Sequence, residues 1–351
     1  MFLLALFRGV QLAVTLSAFG ALLFRTSVAP AALVHMGVGP AGRILQGLTA
    51  IVRVSIVVAF MAAVAWLPLK AEAMSGAENA TEAMAAVPIV LLQTVFGHAL
   101  ALRLLLLGAA LLVLGSGRSQ GRAVAATWLA GMACIMQVGM GHPIAAGSML
   151  LLTTAMAHVL AAGAWLGGLV PLWLMIRCLP QAAASVAARR FSSIGVISVG
   201  VLTAAAILQG WELIGGVGGL VGTAYGRLAL AKSALFVLLV AIAAVNRQVF
   251  TPRLAREAPA GRYLERSIAA ETALAMLVIL AASSMAGLTP GSMRMARDSS
   301  SADMPAGLSD DAGGTRRRAA SLRSVPTTSL AAGLTDSRFT GSGAGKGMLC
   351  S

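Results

Sequence analysis

MLLLTTAMAHVLAAGAWLGGLVPLWLMI, residues 149–176, contains no Asp, Glu, Lys or Arg, and one histidine, His158. At 1.5 Å per residue this stretch is long enough, as a helix, to cross a hydrocarbon core about 30 Å thick. Seven further apolar segments follow the same rule, with ends near Phe2–Phe24, Leu45–Leu67, Ala99–Leu114, Ala123–Met140, Ile194–Leu213, Leu228–Val245 and Ile268–Leu288. The apolar stretch Pro88–Phe96 is too short to span and is expected at the interface leading into the third crossing. Composition agrees over the whole 351 residues: 58% are hydrophobic, 11% charged, and the mean hydropathy is +0.87. A soluble domain carries roughly 25% charged residues. The chain therefore reads as an all-α polytopic membrane protein, a bundle of eight transmembrane helices over residues 1–290. The first apolar run holds Arg8 and no clear small-x-small site after it, so it reads as a retained helix.

The net charge of +14 is distributed in a way that explains it. Residues 1–290 hold 18 Lys/Arg and 7 Glu, and the basic residues sit mostly between apolar runs. Basic loops alternate with neutral or acidic ones. Arg25 and Arg43, then Arg118 and Arg122, then Arg177, Arg189 and Arg190, then Arg247 to Arg266 mark one side. Glu72, Glu78, Glu82 and Glu212 mark the other. Positive loops stay inside, so both termini are expected outside, in the periplasm. No nucleic-acid partner is expected, and the lipid bilayer is. Residues 291–351, rich in Ser, Gly, Asp and Arg, show no periodicity and read as a disordered tail. Cys134, Cys178 and Cys350 form no CxxC pair.

Ionisable groups inside a membrane are costly and mark function. His158 lies about ten residues into its helix, about 15 Å deep. His142 closes the fourth crossing in Met140-Gly-His-Pro143, and His98 opens the third in Phe96-Gly-His98. His35 falls in an inside loop and reads as a solvated residue. Met132, Met136 and Met140 recur every four residues toward His142. Met74, Met149 and Met156 belong to the same outer side by topology. Thioether and imidazole suit Cu(I), and imidazole also Cu(II). The same methionines equally fit plain packing, because Met fills irregular gaps, and a lone histidine fits an interhelical hydrogen bond. Arg8, Arg53, Arg103, Lys232 and Glu271 also fall in apolar runs. Arg103 and Lys232 could snorkel, pair with Glu212 or line an aqueous path, while Glu271 is expected to pair with Arg266 or Arg247. Nothing resembles a nucleophile–base pair, a P-loop or a Rossmann turn, so no enzyme is expected.

These residues, in order, carry a resemblance. Arg8 and Gly20-Ala-Leu-Leu-Phe24 are followed by Trp66, Met74-Ser-Gly76, Thr94-Val-Phe-Gly97, Arg103 and Gly141-His142. Then come His158-x6-Trp165-Leu-Gly-Gly168, Arg190-Phe-Ser192, Gly210, Tyr225-Gly-Arg-Leu228, Lys232, Asn246-Arg247 and Pro252-Arg-Leu254. The chain resembles the copper resistance protein D (CopD) family of bacterial inner-membrane proteins over about residues 1–290. It departs in having Gln11 where members often place a histidine after the first-helix arginine, and it carries no fused CopC-like domain. The resemblance implies copper binding and transport across the inner membrane, with copper taken from the periplasm and a CopC-type carrier as partner. On this reading His142, His98 and Met140 capture the ion, Met136 passes it on and His158 accepts it. Arg8, Arg103, Lys232 and Glu212 would line the path or balance charge. A b-type haem electron-transfer protein, with haem between two histidines, is the alternative from another class. A copper-binding protein that does not transport is a third.

Overall fold

The computed structural model describes residues 2–115, 119–140, 148–214, 216–254, 256, 258–285 and 288. Ten helices carry the fold: α1 (Phe2–Ser27), α2 (Val38–Ser75), α3 (Ala80–Gln93), α4 (Val95–Gly115), α5 (Gln120–Ile135), α6 (Met149–Leu166), α7 (Leu169–Cys178), α8 (Gln181–Ile214), α9 (Ala224–Val245) and α10 (Ala258–Met285). Among the described residues there is no strand. The expected tail, residues 291–351, lies outside the described residues.

Seven helical stretches are long and apolar enough to cross a membrane, with α6 and α7 counted as one. The expected fourth crossing, Ala123–Met140, is different. Its helix α5 has 16 residues and ends at Ile135. There the ladder tightens, the Gln137 N–H donating to Cys134 O at 3.1 Å, and a 3-10 turn follows over Val138–Met140. The segment read as one crossing over 149–176 breaks at Gly167-Gly168 into α6 and α7. As expected, the apolar stretch before the third crossing is short: α3 has 14 residues and stops at Thr94.

Local chemistry sets several helix ends. Gly76 caps α2 at φ +72°, a conformation that favours glycine. Asn79 then caps the start of α3: its Oδ1 accepts from Glu82 N at 2.9 Å, while the Glu82 carboxylate accepts from Glu78 N, one residue before the cap, at 3.1 Å. Ser119, Ser148 and Thr223 cap α5, α6 and α9 in the same sense.

Helix α1 is the hub. It packs against α2, α5, α6 and α10, while α8 packs on α6 and α9 on α10. One apolar core joins α1, α2, α4 and α5 around Leu22, Val52, Leu107 and Ala130; another joins α6–α10 around Trp165, Leu202, Leu239 and Ala275. Large apolar side chains also cover the outside, among them Val57, Leu105, Leu112 and Trp211. A bilayer accepts such a surface; water does not.

The α1–α6 crossing depends on glycine. A Cβ added to Gly20 would lie 2.3 Å from the Gly167 carbonyl carbon, and one added to Gly167 would lie 2.0 Å from Leu16 O. Small residues at such crossings let backbones meet and gain dispersion contacts where lipid offers no hydrophobic drive. We expect Gly167→Ala to lower stability by at least about 1–3 kcal/mol, the usual cost of overpacking. Thermal unfolding in detergent reads this out. Unchanged unfolding would mean that α1 and α6 do not meet there.

Candidate functional site

Five helices, α1, α6, α8, α9 and α10, line a partly open cavity of 350 Å³. Each contributes one face at helical spacing. On α9 the lining residues are Tyr225, Ala229, Lys232, Ser233 and Phe236; on α6 they include Ala155, His158, Ala162 and Trp165. Arg8 comes from α1, Gln209 from α8, and Gln137 from the turn after α5. The His158 Nδ1 and the Gln209 Nε2 are both buried and have no hydrogen-bond partner. Among the described residues no carboxylate lines this cavity.

A second cavity of 310 Å³ lies further along the same helices. On α8 the first cavity uses Leu202–Ile214 and the second Ala188–Val199; on α9 they use Tyr225–Leu239 and Val240–Ala244; on α10, Val278–Met285 and Leu264–Glu271. The division therefore falls at one level on three helices. Trp165, buried, lines both cavities and stands edge-on to Phe236 at 6.4 Å and 81°. Trp165, Leu202, Leu239 and Ala275 belong to one apolar core cluster, and the first three also line the first cavity.

The second cavity has the opposite character. Glu271 is buried and its Oε1 accepts from Asn246 Nδ2 at 3.0 Å. Asn246 opens a π-helical turn, Asn246–Phe250, a backbone irregularity frequent at functional sites. The Asn246 Oδ1 is buried without a partner. Arg247, on the same wall, donates instead to Ser192 O and Oγ at 3.2 and 2.8 Å.

The residues singled out in the sequence separate into groups. His158, Arg8 and Lys232 meet in the first cavity. His98 does not join them: it is exposed, and its Nε2 contacts Leu92 O at 2.8 Å, a carbonyl freed by the break between α3 and α4. Met132 is exposed, and the helix ends before a third turn could align Met140 with it. Met136 is half-buried and does not line the cavity. The Met140 side chain and His142 lie outside the described residues. Glu212 is exposed and does not line the cavity. Arg103 does not snorkel. It is fully buried, donating to the side-chain oxygens of Gln137 and Gln11, while Gln11 Nε2 donates to Ala59 O. Glu271 pairs with Asn246, not with Arg266 or Arg247. Gln11, Gln137, Gln209 and Asn246 went unread as site residues. An amide within an apolar run is the signal that marks them. Among the described residues no three His, Cys, Asp or Glu side chains are grouped to hold a metal ion.

Residues 1–150 match the family model of the copper resistance protein D-like N-terminal domain, and residues 185–285 match that of copper resistance protein D. The chain is 30% identical over 229 residues to copper resistance protein D of Pseudomonas syringae pv. tomato, covering 60% of this chain and 74% of that protein. It belongs to the copper resistance protein D family. It is also 30% identical over 129 residues to copper transport protein CutJ of Bacillus subtilis (strain 168), 36% of this chain and 23% of that protein. No solved structure matches. Family and apolar helices together make this a multi-pass bacterial membrane protein. His158 and Trp165 fall between the two matched segments, on the helices that join them, while Arg8 lies in the first segment and Lys232 in the second. The first cavity of this copper resistance protein D family member is thus assembled from both matched segments and their connection.

Proposed function

We propose that this protein binds copper and moves it across the inner membrane from the periplasm. One observation carries the reading: in this member of the copper resistance protein D family, His158, whose Nδ1 is buried and unpartnered, lines a cavity inside an apolar bundle. Imidazole serves both copper oxidation states, and a single nitrogen donor binds weakly enough to release. In this reading α5 and the turn after it complete an eighth crossing, and both termini face the periplasm. A CopC-type carrier is the expected donor. The ion passes from the His158 cavity, past Trp165, to the cavity that holds Glu271 and Asn246, whose oxygens are harder donors.

The haem reading has less to draw on, because among the described residues no second histidine lines either cavity.

Sealed vesicles carrying the purified protein test the proposal. With Cu(I) kept reduced outside, copper is expected to accumulate above protein-free vesicles, and the purified protein to carry no iron. One bound copper per chain without accumulation would make it a binding protein that does not transport. One iron per chain would restore the haem reading.

A further inference from the structure

The first cavity has the wrong charge for a bare metal cation. Arg8 and Lys232 line it together with His158, and among the described residues no carboxylate does. Isolated cations are expensive in a low-dielectric interior and are retained there when something of opposite charge meets them. A Cu⁺ ion alone would add a third positive charge to the same space, and like charges at short range in low dielectric repel strongly. One further polar group points the same way: the buried Gln209 Nε2 is a donor without an acceptor. Two cations and an unsatisfied amide donor around 350 Å³ form a receptor for an anion.

Resting on the transport reading above, we propose that copper enters this cavity as a small anionic complex, Cu(I) bound by two chlorides or chemically similar monovalent anions. Lys232, Arg8 and Gln209 hold the anions, and His158 takes the metal. The exchange balances without any redox step. One Cu–Cl bond breaks, one Cu–N bond to the His158 ring forms, and CuCl₂⁻ becomes a neutral His–Cu–Cl unit plus Cl⁻. The released chloride stays beside Lys232 and Arg8. The donor set thus serves two ligands at once, a soft metal on imidazole and its counter-anion on the cations. It also accounts for a cation path whose entrance cavity is basic and whose next cavity holds the carboxylate of Glu271.

Two measurements test this, one without copper. In the copper-free full chain in detergent, replacing gluconate by chloride at constant ionic strength should raise the unfolding temperature by about 2 °C, because a ligand that binds only the folded state stabilises it. Lys232→Gln should lose the shift and Lys232→Arg should keep it. A shift given by phosphatidylglycerol but not by chloride would assign the site to a lipid headgroup and overturn the proposal. In vesicles, uptake of Cu(I) from chloride should exceed uptake of the acetonitrile complex, a cation, by at least about tenfold, the factor given by 1.4 kcal/mol. That ratio should fall toward one in Lys232→Gln. Equal rates from both media in the unaltered protein would overturn the anionic cargo while leaving copper transport standing. Uptake from neither medium would refute transport, and the copper-free chloride shift would still report whether the anion site exists.

Discussion

His158→Ala should abolish copper accumulation in vesicles while leaving the protein inserted and folded. The side chain is half-buried and lines the cavity, its Nδ1 is buried without a partner, and among the described residues it makes no hydrogen bond that truncation would orphan. Structural cost is therefore confined to a larger void in a cavity that already exists. Groups that merely orient a metal ligand shift affinity by about 10–100-fold, so loss of the ligand itself should exceed that. His158→Met supplies a soft thioether at the same place and should retain part of the flux that alanine loses. Accumulation by His158→Ala at the level of the unaltered protein, at matched incorporation, would remove this residue from the mechanism. A loss of flux in Met equal to that in Ala would point to shape, not ligation.

The second large effect concerns stability. Among the described residues Arg103 is the largest fully buried side chain; its two terminal nitrogens donate to amide oxygens, those of Gln137 beyond α5 and Gln11 on α1, while its Nε has no partner there. Neutral hydrogen bonds between helices in a bilayer average only about 0.6 kcal/mol. This network should be worth more because its donor is charged: hydrogen bonds to charged groups run to about 1.5–3 kcal/mol. We expect Gln11→Leu to cost that much, since it removes an acceptor from Arg103 and a donor from Ala59 O. Gln137→Leu should cost a similar amount and also disturb the His158 cavity, which Gln137 lines. The two effects should not add, because they share one guanidinium. Adding Arg103→Met to the double variant should recover much of the loss, as replacing a whole buried polar group by apolar side chains often does. Denaturation in detergent, followed by helical signal, measures all four proteins. An additive double variant with no recovery would mean that Arg103 is not the shared centre.

Much of the fold was legible because a bilayer acts on each segment locally. Segment 149–176 declares itself by the absence of charge over its whole length, whatever its neighbours are. The methionine stripe does not continue as one face, because a four-residue spacing means one face only while the helix continues, and α5 stops at Ile135. The partner of His98 was not legible, because it is a backbone carbonyl at Leu92, exposed by a chain break that composition does not mark. For Arg103 the sequence left open snorkelling, pairing with Glu212 and lining an aqueous path. Its acceptors lie 92 and 34 residues away along the chain, a separation at which sequence carries no visible pairing.

What the sequence determined by itself was the solvent of each segment: which stretches are apolar enough to sit in lipid and which are not. Those outcomes depend on transfer free energies and backbone hydrogen bonds of residues a few positions apart. Which side chains face one another was decided only in the tertiary structure. His158, Arg8, Lys232 and Gln209 share a cavity because four helices meet there at particular rotations. Those rotations follow from close approach at Gly20 and Gly167 and from the core cluster of Trp165, Leu202, Leu239 and Ala275. Packing of that kind is a property of pairs of surfaces, and a single segment read alone does not contain it.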